Sequence, residues 1–402
     1  MVGKKDAWDK IFKHYKLLDE VRKNSFVDIS STELKSVSGE EARILAKMDC
    51  REDLPAIMID NGLSILAIEN GLYRIASIDP FIEIQEDITT EIIDIAPPKD
   101  IICIDPFAIN SESAALDISA VSGIHDEVFG APSKLVIRGR RFATFEFNLG
   151  KINYDVKGVQ IEVDGGYETK DTLNLVEAKN SYRSNIGIRQ LMYPQLYWSK
   201  KVEGKKEVKS FIFYLHNDIF RYIPYIFDGK KGYADHSQEK AFRFKITESK
   251  FTLDNIETSP CLVNMQCPFP QADRFDRIDN MLSLALTRGR LGKGELETLF
   301  NIHARQIDYY TNVLKWLGLF KGDDILSLTS KGNKIASMPF HKRMEEMAKI
   351  VFSDPIFNRR LNGHSIEDKH YEKYRVFSNV TIGRRMKTVD AWIAYFTRVL
   401  EV

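Results

Sequence analysis

The stretch VQIEVDGGYETKDTLNLVEAKN, residues 159–180, decides how the middle of the chain is read. Val159 to Val163 and Leu173 to Ala178 are β-type runs, and a polar region with Gly165, Gly166, Lys170 and Asp171 lies between them. Two such runs around a turn signal predict a hairpin. Side chains on a strand alternate faces. Gln160, Glu162 and Asp164 therefore fall opposite Val159, Ile161 and Val163, while Glu177 and Lys179 fall opposite Val176 and Ala178. An acid closing one strand thus meets an acid-x-lysine pair on its neighbour. The apolar LNLV before Glu177 puts that acid at the inner end of a core strand, where an unpaired carboxylate is costly.

The chemistry such a group suits is phosphodiester hydrolysis. A hard divalent cation takes oxygen ligands, and two carboxylates about 4–6 Å apart leave room for water and phosphate to complete its shell. Asp164 and Glu177 are the expected metal ligands, with Mg²⁺ as the cofactor and Mn²⁺ able to substitute. Lys179 would stabilise the charge developing on phosphate or orient the attacking hydroxide. The plainer alternative makes Glu177 and Lys179 an exposed ion pair with no chemistry. Glu162, on the face of Asp164, is an additional acid, and Glu168 falls in the turn as a solvated charge.

Outward from the hairpin the chain reads as an α/β core. A helix-compatible stretch at 113–129 is followed by Pro132 and by strands at Lys134–Ile137 and Arg141–Phe147. After the hairpin come a helix from Ile186 to Trp198 and a strand at Val208–Leu215. Upstream, residues 6–24 read as one helix, Ser30 to Glu33 as a cap, and Glu40 to Lys47 as another helix. Short strands are expected at Ile57–Ile59, Ser64–Ile68 and Tyr73–Ile78, and strands with connections over 80–110. Residues 30–78 suit either a mixed scaffold or a small winged-helix-like module. Beyond Pro268 and Pro270, helices at Phe275–Thr287, Gly294–Phe300 and Ala304–Trp316 precede a strand at Ile325–Leu328, the plan of a winged helix-turn-helix. The expected domains are an N-terminal α/β module (1–120), a nuclease core (121–268) and a C-terminal winged-helix region (269–402), a multidomain α+β and α/β fold.

The 402 residues are 44% hydrophobic and 28% charged, the composition of a soluble globular protein. No apolar run reaches the ~20 residues that span a bilayer. The N-terminus, MVGKKDAWDKIFKHYK, has no secretory apolar core, and Cys50, Cys103, Cys261 and Cys267 show no paired ligand spacing. A reduced, cytoplasmic protein is expected. Net charge is zero, yet residues 271–402 hold 22 Lys and Arg against 16 Asp and Glu, whereas 81–128 hold eleven acids and one lysine. A basic C-terminal third suits contact with a polyanion.

EVDGGYE and LNLVEAKN resemble the PD-(D/E)XK nuclease superfamily, in which an Asp precedes an acid-x-Lys strand; no Pro precedes Asp164 here. NIGIRQLMYPQLYW (185–198) is similar to the helix after that strand in many restriction endonucleases, and the resemblance implies that Gln190 buttresses the site, with Tyr193 nearby. EARILAKMDCREDLP (41–55), SILAIENGLYRIA (64–76) and VIRGRRFATFEF (136–147) extend the likeness to bacterial type II restriction enzymes with a C-terminal winged helix. In that superfamily an upstream acid often completes the site; Asp126, Glu127 and Glu146 are the candidates.

Arg138, Arg140 and Arg141 (RGRR) stand where they could contact DNA near the scissile bond, or pair with the acidic 81–128 stretch. In HARQIDYYTNVLKW (303–316), His303, Arg305, Gln306, Tyr309 and Tyr310 hold the recognition-helix position, and Lys331 and Lys334 flank the wing. Arg384, Arg385 and Lys387 form a second basic cluster to which the sequence assigns no role. The expectation is a type II restriction endonuclease cutting double-stranded DNA to 5′-phosphate ends, acting as a homodimer beside a cognate DNA methyltransferase. The alternatives are a structure- or modification-dependent repair or defence nuclease, or a non-catalytic winged-helix regulator.

Overall fold

The computed structural model describes residues 4–88, 90–109, 111–179, 183–228, 231–245, 251–253, 256–300, 302–374 and 379–400. The chain divides into two units. One comprises Met1–Ile93, Ser111–Leu215 and Phe220–Phe242; the other comprises Asp94–Asn110, His216–Ile219 and Arg243–Val402. Most of the expected N-terminal module and most of the expected nuclease core therefore fall in one unit, while Asp94–Asn110, His216–Ile219 and the stretch from Arg243 onward fall in the other.

In the first unit the helix expected at 6–24 is two helices, α1 (Lys4–Tyr15) and α2 (Leu17–Asn24), broken at Lys16, whose φ is +51°. Strand β1 (Phe26–Ser30) runs into a reciprocal cap. Ser30 Oγ accepts from the Glu33 amide at 3.2 Å and the Ser30 amide donates to Glu33 Oε2 at 2.7 Å, starting α3 (Ser31–Ser38). The helix expected at 40–47 is the single turn α4 (Ala42–Leu45). The strand expected at Ile57–Ile59 is instead helix α5 (Ala56–Asp60). Pro55 opens it, and a continuous Ile-Met-Ile triplet carries no two-residue alternation to hold it extended.

Strands β2 (Ser64–Glu69) and β3 (Leu72–Ala76) follow, then the short β4 (Phe81–Glu83) and β5 (Ile92–Ile95). The stretch read as one helix over 113–129 is α6 (Glu112–Val121) and α7 (Ile124–Phe129), separated at Gly123. β6 (Lys134–Leu149) and β7 (Ile152–Glu168) then form a long antiparallel hairpin, and β8 (Thr172–Lys179) turns back along β7. After β9 (Asn185–Gly187), which pairs with β4, helix α8 (Arg189–Lys201) carries the chain to β10 (Glu207–His216). β11 (Ile219–Phe227), β12 (Gly232–Ala234) and β13 (Lys240–Phe244) complete the strands. Neighbours in the large mixed sheet run β1-β3-β2-β7-β8-β10-β11-β13, with β6 on β7 and β12 on β11.

The pairing that positions the site is parallel. β10 lies along β8 with Ile212 opposite Glu177 and Tyr214 opposite Lys179. Parallel neighbours need a long crossover, and α8 is that crossover. It packs apolar side chains onto the sheet: Leu191, Met192 and Tyr193 are buried with Phe145, Phe147 and Tyr154, the last two stacked at 4.9 Å. Tyr193 also donates its hydroxyl to the Ala67 carbonyl at 2.8 Å, tying α8 to β2.

In the second unit, helices α9 (Phe275–Arg288), α10 (Lys293–Phe300) and α11 (Ala304–Trp316) accompany a three-stranded antiparallel sheet. Its strands are β14 (Arg290–Gly292), β15 (Phe320–Lys321) and β16 (Ile325–Leu328), in the order β14-β16-β15. Then come α12 (Ser330–Ala336), α13 (Phe340–Phe352), α14 (Pro355–Leu361) and α15 (Asn379–Leu400). Phe269, Phe275, Trp316, Phe357 and Trp392 are buried in this unit's core. No helix among the described residues is long and apolar enough to cross a membrane.

Candidate functional site

Asp164, Glu177, Lys179 and Gln190 come together where β7, β8 and the start of α8 meet. Lys179 Nζ donates to Glu177 Oε1, and Gln190 Nε2 donates to the same oxygen at 2.6 Å. Asp164 Oδ2 accepts the Ala178 amide at 2.9 Å, so the β7 acid is fixed against the β8 backbone between Glu177 and Lys179. Glu177 is only 7% exposed. A buried carboxylate without donors would be strongly destabilising, and here two side-chain donors share one oxygen.

Burial pushes the Glu177 carboxyl up to about 8; the Lys179 ammonium opposes that rise, and the charges of Asp164 and Glu112 add to it. Burial works against the Lys179 ammonium, yet Glu177, with Asp164 and Glu112, more than offsets this and its pKa is raised. Both groups keep their protons more tightly than usual, so the cluster is proton-rich near neutrality. A cation entering it displaces a proton.

Glu112 is the functional candidate that the sequence reading missed. It opens α6, whose N-cap Ser111 accepts the Ala114 amide through its side chain, and its charge acts on both Glu177 and Lys179. The upstream acids expected in this role lie elsewhere. Asp126 accepts from Ser133, and Glu146 stands opposite Asp155 on the β6–β7 hairpin; neither they nor Glu127 figure among the charges acting on Glu177. The available signal was Ser111-Glu112 directly before an apolar run, a helix start with an acid in its first turn.

Gly165 and Gly166, read as part of a turn, are inside β7; the turn is Thr169–Asp171. They are glycines because neighbours occupy the space that a side chain would need. A Cβ on Gly165 would lie 2.7 Å from the Tyr167 ring, and one on Gly166 would lie 2.7 Å from Ile137 Cβ. Gly166→Ala is expected to lower stability by about 1–3 kcal/mol, read by denaturant unfolding; an unchanged midpoint would show that Ile137 yields at no cost. Arg138 braces the same strand. Its Nε donates to the Asp164 carbonyl at 3.1 Å, and its Nη2 reaches Asp117 of α6 at 2.6 Å. One guanidinium thus links the strand carrying Asp164 to the helix carrying Glu112.

The other basic residues expected at a nucleic acid are distributed as follows. Arg140 pairs with Glu162 at 3.3 Å, and the Arg141 guanidinium lies 5.6 Å from the Trp198 ring centre. On α11, His303, Arg305 and Gln306 are exposed and Tyr309 half-buried, while Tyr310 is buried. Arg305 Nε donates to the Tyr309 hydroxyl at 2.9 Å. Lys331 flanks the expected wing strand, β16. It lies in α12 and donates to the Leu317 carbonyl at 3.0 Å, neutralising the negative end of α11. Burial draws its ammonium pKa down.

The donor types fit a hard divalent cation. The acids are all carboxylates, and Gln190 Oε1, on the amide that touches Glu177, is buried without a hydrogen-bond partner. Among the described residues no three His, Cys, Asp or Glu side chains are drawn together as a ready-made metal cage. Mg²⁺ is commonly bound through one or two carboxylates, with water and substrate phosphate as its other ligands; Asp164 and Glu177 are the two carboxylates on β7 and β8 at this cluster.

Three family models match the chain. One described as Domain of unknown function (DUF6996) matches residues 5–75, one described as Domain of unknown function (DUF6997) matches 76–245, and one described as Domain of unknown function (DUF7226) matches 277–401. No curated protein and no solved structure matches the chain.

Proposed function

We propose that this chain is a Mg²⁺-dependent endonuclease that cuts double-stranded DNA at defined sequences, in the manner of type II restriction enzymes. The observation that carries the reading is the meeting of Asp164, Glu177, Lys179 and Gln190 on adjoining elements, with Glu177 buried and held by two donors. A surface ion pair has no use for a buried carboxylate, a second acid pinned to the backbone beside it and a supporting amide.

In this reading Asp164 and Glu177 would hold the cation, which when bound would supply charge neutralisation at the scissile phosphate and an acidified water. Lys179 places its positive charge where negative charge builds on the phosphoryl oxygens. Gln190 orients Glu177 by its amide hydrogen bond, and Arg138 holds the backbone of Asp164 in register with α6. Glu112 adds negative field, which favours a cation in the cluster.

The second unit supports a DNA-binding role. Its order of helix, strand, helix, helix and two strands, with the sheet running β14-β16-β15, supports reading it as a winged helix-turn-helix. The exposed His303, Arg305 and Gln306 lie at the start of α11, the half of a recognition helix that enters the major groove. Cutting both strands needs two active sites, so the reading includes a homodimer on DNA.

The test is digestion of a plasmid of known sequence by the purified chain with Mg²⁺ and with EDTA, followed by sequencing of the fragment ends. Discrete Mg²⁺-dependent fragments with 5′-phosphates are expected. A smear would point to cutting without sequence choice, and intact supercoiled plasmid at every enzyme concentration would remove the nuclease reading.

A further inference from the structure

Arg385, on α15, is a buried arginine without an acid. Only 7% of it is exposed, and its Nε has no hydrogen-bond partner. Nη1 donates to the Pro270 carbonyl at 3.3 Å, and among the described residues no carboxylate pairs with the guanidinium. Its electrostatic neighbours are another cation, Arg384, and the hydroxyls of Tyr309 and Tyr371. The Tyr371 hydroxyl is turned to Met386 Sδ at 2.9 Å.

A guanidinium cannot shed its proton under ordinary conditions, so burial without a counter-charge is a standing penalty. The penalty is visible here: burial, and then Arg384, pull the Arg385 pKa down to about 10. The other buried arginines in the described chain are matched. Arg343 lies against Asp279 at 2.6 and 2.8 Å, and Arg221 against Glu239 at 2.7 and 2.8 Å. Arg385 is buried as they are, but among the described residues no anion faces it. Tyr309, one of those electrostatic neighbours, accepts from Arg305 Nε at 2.9 Å, so that phenol interacts with two cationic groups. Arg384 and Lys387 are exposed alongside.

We propose that Arg385, together with Arg305 and Tyr309, receives one backbone phosphate of DNA bound along the exposed N-terminal half of α11. This rests on the DNA-binding part of the proposed function. A phosphodiester carries a permanent charge and has oxygens on several sides, which suits a guanidinium fork, a phenol and a second guanidinium approaching from a helix surface. The contact fixes the position of α11 on the duplex without reading sequence. It also gives the basic cluster at Arg384, Arg385 and Lys387 a role.

The test uses the full chain in EDTA, so that binding is read without cleavage. Anisotropy of a labelled duplex is followed over a KCl series for wild type, Arg385→Met and the exposed variant Arg305→Gln. Each variant is expected to lower the slope of log K against log[salt] by about one, the loss of one phosphate contact. The double variant is expected to lose no more than either alone. In phosphate-free buffer Arg385→Met should melt at or above the wild-type temperature, because an apolar side chain replaces an unpaired buried charge. An unchanged slope with a lowered melting temperature would make Arg385 a structural donor to Pro270 and overturn the proposal. Stabilisation of wild type by inorganic phosphate through Arg385, with no change in duplex binding in the variant, would make it a free-anion site and also overturn it. A wild-type chain that binds no duplex at all would take down the DNA-binding reading itself, a result distinct from a failure confined to Arg385.

Discussion

Lys179→Ala is expected to reduce Mg²⁺-dependent cleavage by roughly 10³-fold, the scale seen when one preorganised charge-stabilising group is removed, while duplex affinity measured in EDTA stays within about twofold. Two effects act in the same direction. The ammonium that would face the developing charge is gone. The Glu177 carboxyl also loses the ammonium opposing its upward shift, so burial, Asp164 and Glu112 raise it further and make it a poorer ligand. Lys179→Arg separates these effects, since it keeps a positive charge beside Glu177 but changes its shape. Partial recovery is expected in Lys179→Arg at raised Mg²⁺ concentration. Wild-type cutting by Lys179→Ala would remove Lys179 from the chemistry.

The second large effect is on stability. Arg221 and Glu239 are each 4% exposed and pair through two hydrogen bonds, with His236 Nδ1 3.0 Å from the same carboxylate. Arg221 also donates to the Gln85 carbonyl at 2.8 Å, holding the segment after β4 against β11. Arg221→Met leaves the Glu239 carboxylate buried without its guanidinium and the Gln85 carbonyl without its donor. It is expected to destabilise the first unit by about 3–5 kcal/mol, a fall of roughly 6–20 °C in melting temperature. Adding Glu239→Leu removes the stranded charge and should recover much of that loss. If Arg221→Met melted with wild type, the pair would be dispensable.

Much of this architecture was legible in the sequence for identifiable reasons. The α11 bounds, Ala304–Trp316, and the Ile325–Leu328 strand were read as they are found, because amphipathic spacing and flanking Gly residues are local signals. That Asp164 could meet Glu177 was read from the predicted hairpin and strand alternation, with the apolar LNLV context and the family resemblance behind it. The β7–β8 pairing brings the two strands together there. What stayed hidden depends on distant partners. Gly165 and Gly166 looked like a turn because paired glycines usually mark one, but the ring of Tyr167 and the side chain of Ile137 require them inside a strand. Glu112 was one acid among eleven over 81–128, and only the fold brings α6 to β8. Arg138 was read as a DNA contact or as a partner for that acidic stretch; its pairing with Asp117 is the second of these. Lys331 looked available to phosphate until the end of α11 was seen to occupy it.

The central claim is that Asp164 and Glu177 together hold one divalent ion, and Mn²⁺ titration followed by electron paramagnetic resonance tests it without reference to cleavage. For the wild-type chain one saturable site is expected, tightening as pH rises from 6.5 through about 8 because Glu177 must give up its proton to ligate. Asp164→Asn and Glu177→Gln should each abolish that site while leaving the melting temperature near the wild-type value. Saturable Mn²⁺ binding that persists unchanged in both variants, or none in the wild type at millimolar concentration, would contradict the account.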